Sequence, residues 1–510
     1  MAFNLYRLGV PSIWFDEAFS VELARQPLPL LWHIIFGPEP NMELYYLFLH
    51  FWLALISLLG LHAVEFVVRF PSTVFAALST VIVFLLGRRF IDTIAGVVGA
   101  SLYLLNDLQL TYAQQTRSYS LQLLLVCIAW YALLAALIGN SHTRRWWVCY
   151  VMATTLAVSA HLFSVLIVLA QLVAVVGLLL LPGEWRARVR KQIVPLAVSL
   201  VVTAILIIPM LAVSRQGSKT GWLPIPHLNA IYHLFLTISG NSKTYLLLIF
   251  VLCACALVMA ALCCLSHGRD LLQRLSLLSV KSDSQTSALQ HLLAVAVTLV
   301  CWLVIPIGVS YVVSHGATRI FSSRYLVIVV PPLFLLVGLG VAMLRWRIVQ
   351  AMLGLGLILL AVRYVPLYYA SAQVEDWNVT SHWIEQHYQP KDGLVCYDNV
   401  QGCQISVEYY LHAYPSVAHF TADSPGAYSW ANFGPVDPLT GYEAAVQPKQ
   451  LVAYGDKHPR LFFIVGRVPD DVAAAHARVA QVWLDTHYHL VGQINTRTVT
   501  VRLYAASATL

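Results

Sequence analysis

Apolar runs of about twenty residues, each closed by a short polar or basic stretch, fill the chain up to Tyr369 and then cease. Runs of that length cross a bilayer as helices. Ten crossings are predicted, near 66–87, 91–110, 118–139, 146–163, 164–182, 193–213, 244–266, 290–313, 324–344 and 347–369. Beyond them charge, His and Pro return, and no run is long enough to span. Arg460–Val465 and Val499–Tyr504 have the apolar pattern of strands, and 379–388 that of a helix. The expected fold class is a polytopic α-helical membrane protein with a C-terminal soluble α/β or α+β domain. Its units are 1–65 (a loop with an Asp-Glu motif, then a juxtamembrane helix), 66–369 (the multi-span domain) and 370–510 (the soluble domain).

One apolar run is read differently. Residues 43–60, ELYYLFLHFWLALISLLG, are long enough to span, yet Glu43, His50 and the paired aromatics suit a helix lying at headgroup depth. A weaker one is expected at 228–240.

Composition agrees: 59% of residues are hydrophobic and 11% charged, against roughly 25% charged in soluble domains. The net charge of +7 would suggest nucleic acid in a soluble protein. Here the cations fall at every second junction: Arg88-Arg89, Arg144-Arg145, Arg186 to Lys191, Arg269 to Lys281 and Arg345/Arg347. All five can be cytoplasmic together, so the positive-inside rule accounts for them and a nucleic-acid partner is not expected. The other junctions and the soluble domain then face outside. Seven of the nine cysteines lie in apolar runs; Cys396 and Cys403 lie in the soluble part and can pair in an oxidising compartment. No zinc-ligand spacing is present.

In this topology Asp16, Glu17, Glu39, Arg69, Arg117, His161 and Arg324 gather at the outer surface. A carboxylate pair such as Asp16-Glu17 is costly beside lipid and persists where it meets water, a partner or a substrate. The alternative is that such acids cap helices and such arginines anchor helix ends to headgroups.

The segments carrying these residues run in order WFDE, PNMELYYLFLHFW, RFPSTVFAALSTVIVFLLGRRF, YAQQTRSYSL, SAHLFSVLIVLAQ and SSRYLVIVVPPL. This order resembles bacterial family-39-like glycosyltransferases of the GT-C class, the group with protein O-mannosyltransferases, the lipid A aminoarabinose transferase and Rgt-type hexosyltransferases. The likeness covers residues 10 to about 345. It implies a glycosyltransferase of the cytoplasmic membrane, taking sugar from a polyprenyl phosphate to a lipid, glycan or protein acceptor at the outer face. Asp16 matches the family's essential acid and would be the base; Glu17 would orient Asp16 or the acceptor, or stay solvated. Glu39 aligns with a second acid of the aminoarabinose branch if Tyr45-Tyr46 is the aromatic pair that follows that acid. Arg324 with Tyr325, then Arg117 and Arg69, are the candidates to hold the departing phosphate, since Arg presents a planar fork of donors. Glu39 and His161 are candidates for the acceptor or for a divalent metal ion, and His161 can equally be a satisfied buried histidine. Tyr409, Tyr410, His412, Tyr414, His419 and Trp430 could form an acceptor platform or a domain core.

Two departures stand out. Gln115 occupies a position where relatives commonly carry Glu, and the sequence opens at the Asp-Glu segment where relatives place a membrane span first. These keep open an inactive relative acting as a scaffold. A transporter or lipid flippase with an outer domain is the rival from another class, although no pair of broken, related halves is visible.

Overall fold

The computed structural model describes residues 1–138, 143–181, 184–214, 220–221, 223–262, 284–397, 401–421, 423–425, 430, 446, 448–466, 468 and 471–506. Seven helices are long and apolar enough to cross a membrane: Glu65–Phe90, Tyr119–Ile138, Leu162–Leu180, Ile193–Ser214, Lys243–Leu262, His291–Val313 and Arg347–Ser371. The protein is a multi-pass membrane protein. The other three predicted crossings are also helical but fall outside this set. Thr93–Leu104 stops early because Asn106 caps a new helix, its Oδ1 accepting from the N–H of Leu108 at 3.2 Å. Thr143–Ala160 begins Thr-Arg-Arg and carries further threonines. Leu326–Ala342 is short, and from Leu326 to Val341 every residue is buried. A helix sheathed by its neighbours has no lipid thickness to match, so protein packing sets its length.

Thr93–Leu104 packs against both that sheathed helix and Glu65–Phe90, and small residues let them touch. A Cβ on Gly338 would lie 2.5 Å from the carbonyl oxygen of Ala95. A Cβ on Gly87 would meet the Cα of Gly96 at 2.4 Å. Close backbone approach of this kind is how helices gain packing energy where lipid is as apolar as leucine.

The expected juxtamembrane helix is Glu43–Leu58, which buries Tyr45, Tyr46, Leu49 and Ile56 while Phe51, Leu55 and Leu58 stay exposed. The weaker one is Leu228–Ile238. The basic stretch 269–281, Cys263, Cys264 and Trp222 lie outside the described residues.

The C-terminal domain is a four-stranded sheet flanked by helices. Its strands are β1 (Gly393–Cys396), β2 (Arg460–Gly466), β3 (Tyr488–Asn495) and β4 (Val499–Ala506), in the order β1-β2-β4-β3. β1 pairs parallel with β2; the other two ladders are antiparallel. Both strands and the helix expected from sequence are present, the last as Trp377–His387. Cys396, ending β1, forms a disulfide with Cys403.

Candidate functional site

The Asp-Glu motif is not in a loop, as the pattern suggested, but in the first turn of a helix, Phe15–Arg25. Carboxylates there face the positive end of the helix dipole. The chain reaches this turn through Pro11-Ser12-Ile13-Trp14, whose backbone would otherwise be loose. The C-terminal domain holds it. The N–H of Ser12 donates to Gln373 Oε1, that of Ile13 to the Tyr410 hydroxyl, and that of Phe15 to Glu375 Oε2, each at 2.9 Å. The Tyr410 hydroxyl in turn donates to Glu65 Oε1 at 2.8 Å.

Two arginines meet the Asp16 carboxylate. Arg324 Nη1 lies 3.2 Å from Oδ2, and Arg117 Nη2 4.0 Å from the same oxygen. Arg117 is also fixed by the backbone oxygen of Asp16 and the Ser20 hydroxyl, both at 2.9 Å. Burial works against the Arg117 charge, but Asp16 and the tyrosines around it more than offset this and raise its pKa. Asp16 and Arg324 keep some exposure, 16% and 30% of their side chains. An aromatic wall stands beside them: Tyr325 packs on Phe163 at 4.5 Å, and the His161 ring lies 5.2 Å from Tyr119 and 5.5 Å from Tyr325.

The other predicted residues are placed otherwise. Arg69 and Glu17 form a buried bidentate pair at 2.8 and 2.6 Å. Arg69 Nη1 also donates to the carbonyls of Leu8 and Pro11, and Nη2 to that of Ser12. All five guanidinium N–H groups are thereby used, and none remains for a phosphate. Glu17 is not solvated: it is fully buried and accepts the Thr116 N–H at 2.7 Å. His161 is buried but only half satisfied, its Nδ1 accepting from the Phe163 N–H at 3.3 Å while Nε2 has no partner. Glu39 is half-buried in the turn before Glu43–Leu58, where its charge acts on Glu43 and Tyr46. Among the described residues no three His, Cys, Asp or Glu side chains group as metal ligands. Gln115 Oε1 is buried without a partner.

Of the six aromatic and His residues singled out in the C-terminal domain, Tyr409, Tyr410, His412 and Trp430 contact the N-terminal segment, while His419 pairs with Glu408 and the Tyr414 ring lies 6.1 Å from that of His382. The Tyr409 hydroxyl donates to the Ala63 carbonyl at 2.7 Å, His412 Nε2 meets Glu22 Oε2 at 3.0 Å, and the Trp430 ring lies 5.3 Å from that of Phe19. Gln373 and Glu375 were not foreseen. The available signal was their place in Gln373-Val374-Glu375-Asp376-Trp377, the first polar cluster after the last apolar run.

Residues 47–212 match the family model described as dolichyl-phosphate-mannose-protein mannosyltransferase. The structure resembles ArnT from Cupriavidus metallidurans in the apo state, with a TM-score of 0.59 at 13% identity over 98% of this chain and 96% of that one. The same protein bound to undecaprenyl phosphate gives 0.56 at 12% identity, with the same coverage of 98% and 96%. The oligosaccharyltransferase of Archaeoglobus fulgidus, in complex with Zn and sulfate, gives 0.52 at 11% identity over 91% of this chain and 67% of that one. A search of the curated proteins finds no match.

The fold is that of the GT-C glycosyltransferases. On this GT-C frame the Asp16 site lies where the N-terminal segment, the helix bundle and the C-terminal domain meet. Arg88 and Arg89 end the helix that begins near Arg69. At 1.5 Å per residue they lie about 30 Å away, at the other end of the bundle.

Proposed function

We propose that the chain is a glycosyltransferase that moves a sugar from a polyprenyl-phosphate donor to an acceptor hydroxyl at the outer face of the cytoplasmic membrane. The observation that carries this reading is one partly exposed carboxylate, Asp16, facing two arginines from distant parts of the chain. A base and a phosphate-binding pair within a few ångströms are what the reaction needs. Asp16 takes the acceptor's proton, the acceptor oxygen bonds to the anomeric carbon, and the bond from that carbon to phosphate oxygen breaks. The polyprenyl phosphate leaves with the electron pair and one more negative charge than it carried in the donor. Arg324, with Arg117 behind it, stabilises that charge where it develops. The match to a lipid-phosphate mannosyltransferase model and the likeness to ArnT, solved with undecaprenyl phosphate, support the donor class.

Acceptors that remain in view are lipid, glycan and protein.

The test is transfer of labelled sugar from polyprenyl phosphate in proteoliposomes. Loss of a positioned base costs on the order of 10²–10⁴ in rate. Asp16→Asn should show a loss of that size with normal expression and folding. Transfer at the wild-type rate by that variant would overturn the assignment.

A further inference from the structure

The start of the juxtamembrane helix carries polar groups that the protein itself leaves unpaired. Glu43, its first residue, is 2% exposed, and neither carboxylate oxygen has a hydrogen-bond partner. Tyr46, one turn later, is fully buried with an unpartnered hydroxyl. Residues three apart share a helix face. Asn41 Oδ1 and His161 Nε2 are likewise buried and unpartnered, and the two residues are held together because the Leu162 N–H donates to the Asn41 carbonyl at 3.1 Å. Tyr46 also lies within the electrostatic reach of Arg117 and Asp16, so this set adjoins the Asp16 site.

Native proteins seldom leave buried polar groups unpaired, because each costs its desolvation without a compensating bond. Four from two segments, side by side, resemble a surface awaiting a ligand. Its chemistry is the opposite of the arginine side. Burial pushes the Glu43 carboxyl up to about 8; its own backbone N–H, outside hydrogen-bond geometry, opposes this, and Glu39 pushes it further up. Near neutral pH it is therefore mainly an uncharged acid, with one O–H to donate and one carbonyl to accept. A neutral acid, a phenol, an amide oxygen and an imidazole nitrogen suit a ring of hydroxyl groups. They do not suit a phosphate.

We propose that Glu43 and Tyr46, with Asn41 and His161, form the subsite for the sugar ring of the lipid-linked donor, while Arg324 and Arg117 take its phosphate. This rests on the glycosyltransferase reading above. It adds Glu43 and Tyr46 as specificity-determining residues, since a site built to bond a sugar hydroxyl rejects ligands that leave its groups unpaired.

The test is binding to the full chain in nanodiscs. The probes are undecaprenyl phosphate and its mannosyl, glucosyl and arabinosyl esters, with thermal unfolding measured alongside. Wild type should bind one of the sugar-bearing lipids more tightly than undecaprenyl phosphate itself. Glu43→Leu should weaken that lipid by about tenfold, as expected for a lost hydrogen-bonding group. Its affinity for undecaprenyl phosphate should not change. The ligand-free protein should become more stable, with a higher Tm, because an unpaired buried acid has gone. Tyr46→Phe, which removes only the hydroxyl, should repeat both effects more weakly and stands in if Glu43→Leu fails to fold. A lower Tm with unchanged sugar-lipid binding would mark a water-bridged structural acid and overturn the proposal. So would equal weakening of all four lipids, or a wild type that gains nothing from the sugar. If wild type binds none of the lipids, the glycosyltransferase reading itself fails.

Discussion

Asp16 and Glu17 are neighbours on the same helical turn, and each faces arginine, yet the two pairings are built for different ends. Around Glu17 every valence is filled. Arg69 meets it with two short bonds and spends its remaining donors on three backbone carbonyls. Around Asp16 the contacts are longer, at 3.2 and 4.0 Å, and Arg324 keeps 30% of its side chain exposed. A saturated pair fixes geometry; a longer, partly exposed one can exchange its partner for a substrate. The first holds the turn on which the second stands.

The largest effect should come from breaking the saturated pair. Arg69→Met leaves Glu17 charged, buried and without its counter-ion, and frees three carbonyls. Removing one partner of a buried ion pair costs about 3–5 kcal/mol. Unfolding in detergent should show a loss of that order, with transfer falling only because folded protein is lost. Adding Glu17→Leu should recover part of it, since the double variant buries no lone charge. The carbonyls of Leu8, Pro11 and Ser12 would still lack their donor, so recovery should be incomplete. If Arg69→Met folded normally but lost affinity for polyprenyl phosphate, the contrast drawn here would collapse.

The open pair should respond the other way. Arg324→Gln removes a half-exposed contact worth about 0–1 kcal/mol to stability. It should weaken polyprenyl-phosphate binding about tenfold, because a charge-assisted bond to phosphate is lost. Binding in nanodiscs and thermal unfolding on the same sample separate the two. A large fall in Tm with unchanged lipid affinity would make Arg324 a second structural cation.

Much of this contrast was hidden in the sequence. Spans were legible because lipid demands length and apolarity together, and seven of ten runs met that demand. Asp16, Arg117 and Arg324 could be grouped from sequence because charge beside apolar runs needs a reason, and the fold brings the three together. Arg69 looked like them and was not, since nothing local shows that Glu17, 52 residues away, will take two of its donors. The bonds from the C-terminal domain to the Asp16 turn were further out of reach, spanning 360 to 397 residues. Within that domain β2 and β4 announced themselves by composition. β1 is only Gly393–Cys396, and β3 has a register shift between Leu490 and Gly492 that breaks its alternation.

The smallest expected effect lies where the C-terminal domain grips the far end of the Asp16 helix. Glu22 pairs there with Arg25 at 3.0 Å and His412 at 3.0 Å, and the His412 ring lies 5.1 Å from His419, which is bonded to Glu408. Burial raises the Glu22 carboxyl from 4.5 to about 7, with Arg25 and His419 opposing. The folded state therefore holds a proton that the unfolded chain releases between those values. Stability from this group is present in acid and lost as pH rises toward 7. His419, raised above 6.5 chiefly by its bond to Glu408, works with the same sign: its contribution is present below 6.5 and lost as pH rises through its folded value. Wild type should thus lose Tm relative to Glu22→Gln between pH 5 and 8. The gap should change by about 0.5 °C, a fraction of a kcal/mol for a protein of this size, because Arg25 and His412 compensate much of the ionised form. A gap that widens toward acid would mean that Glu22 is ionised and paired throughout, making this contact a second saturated tie like Glu17 with Arg69.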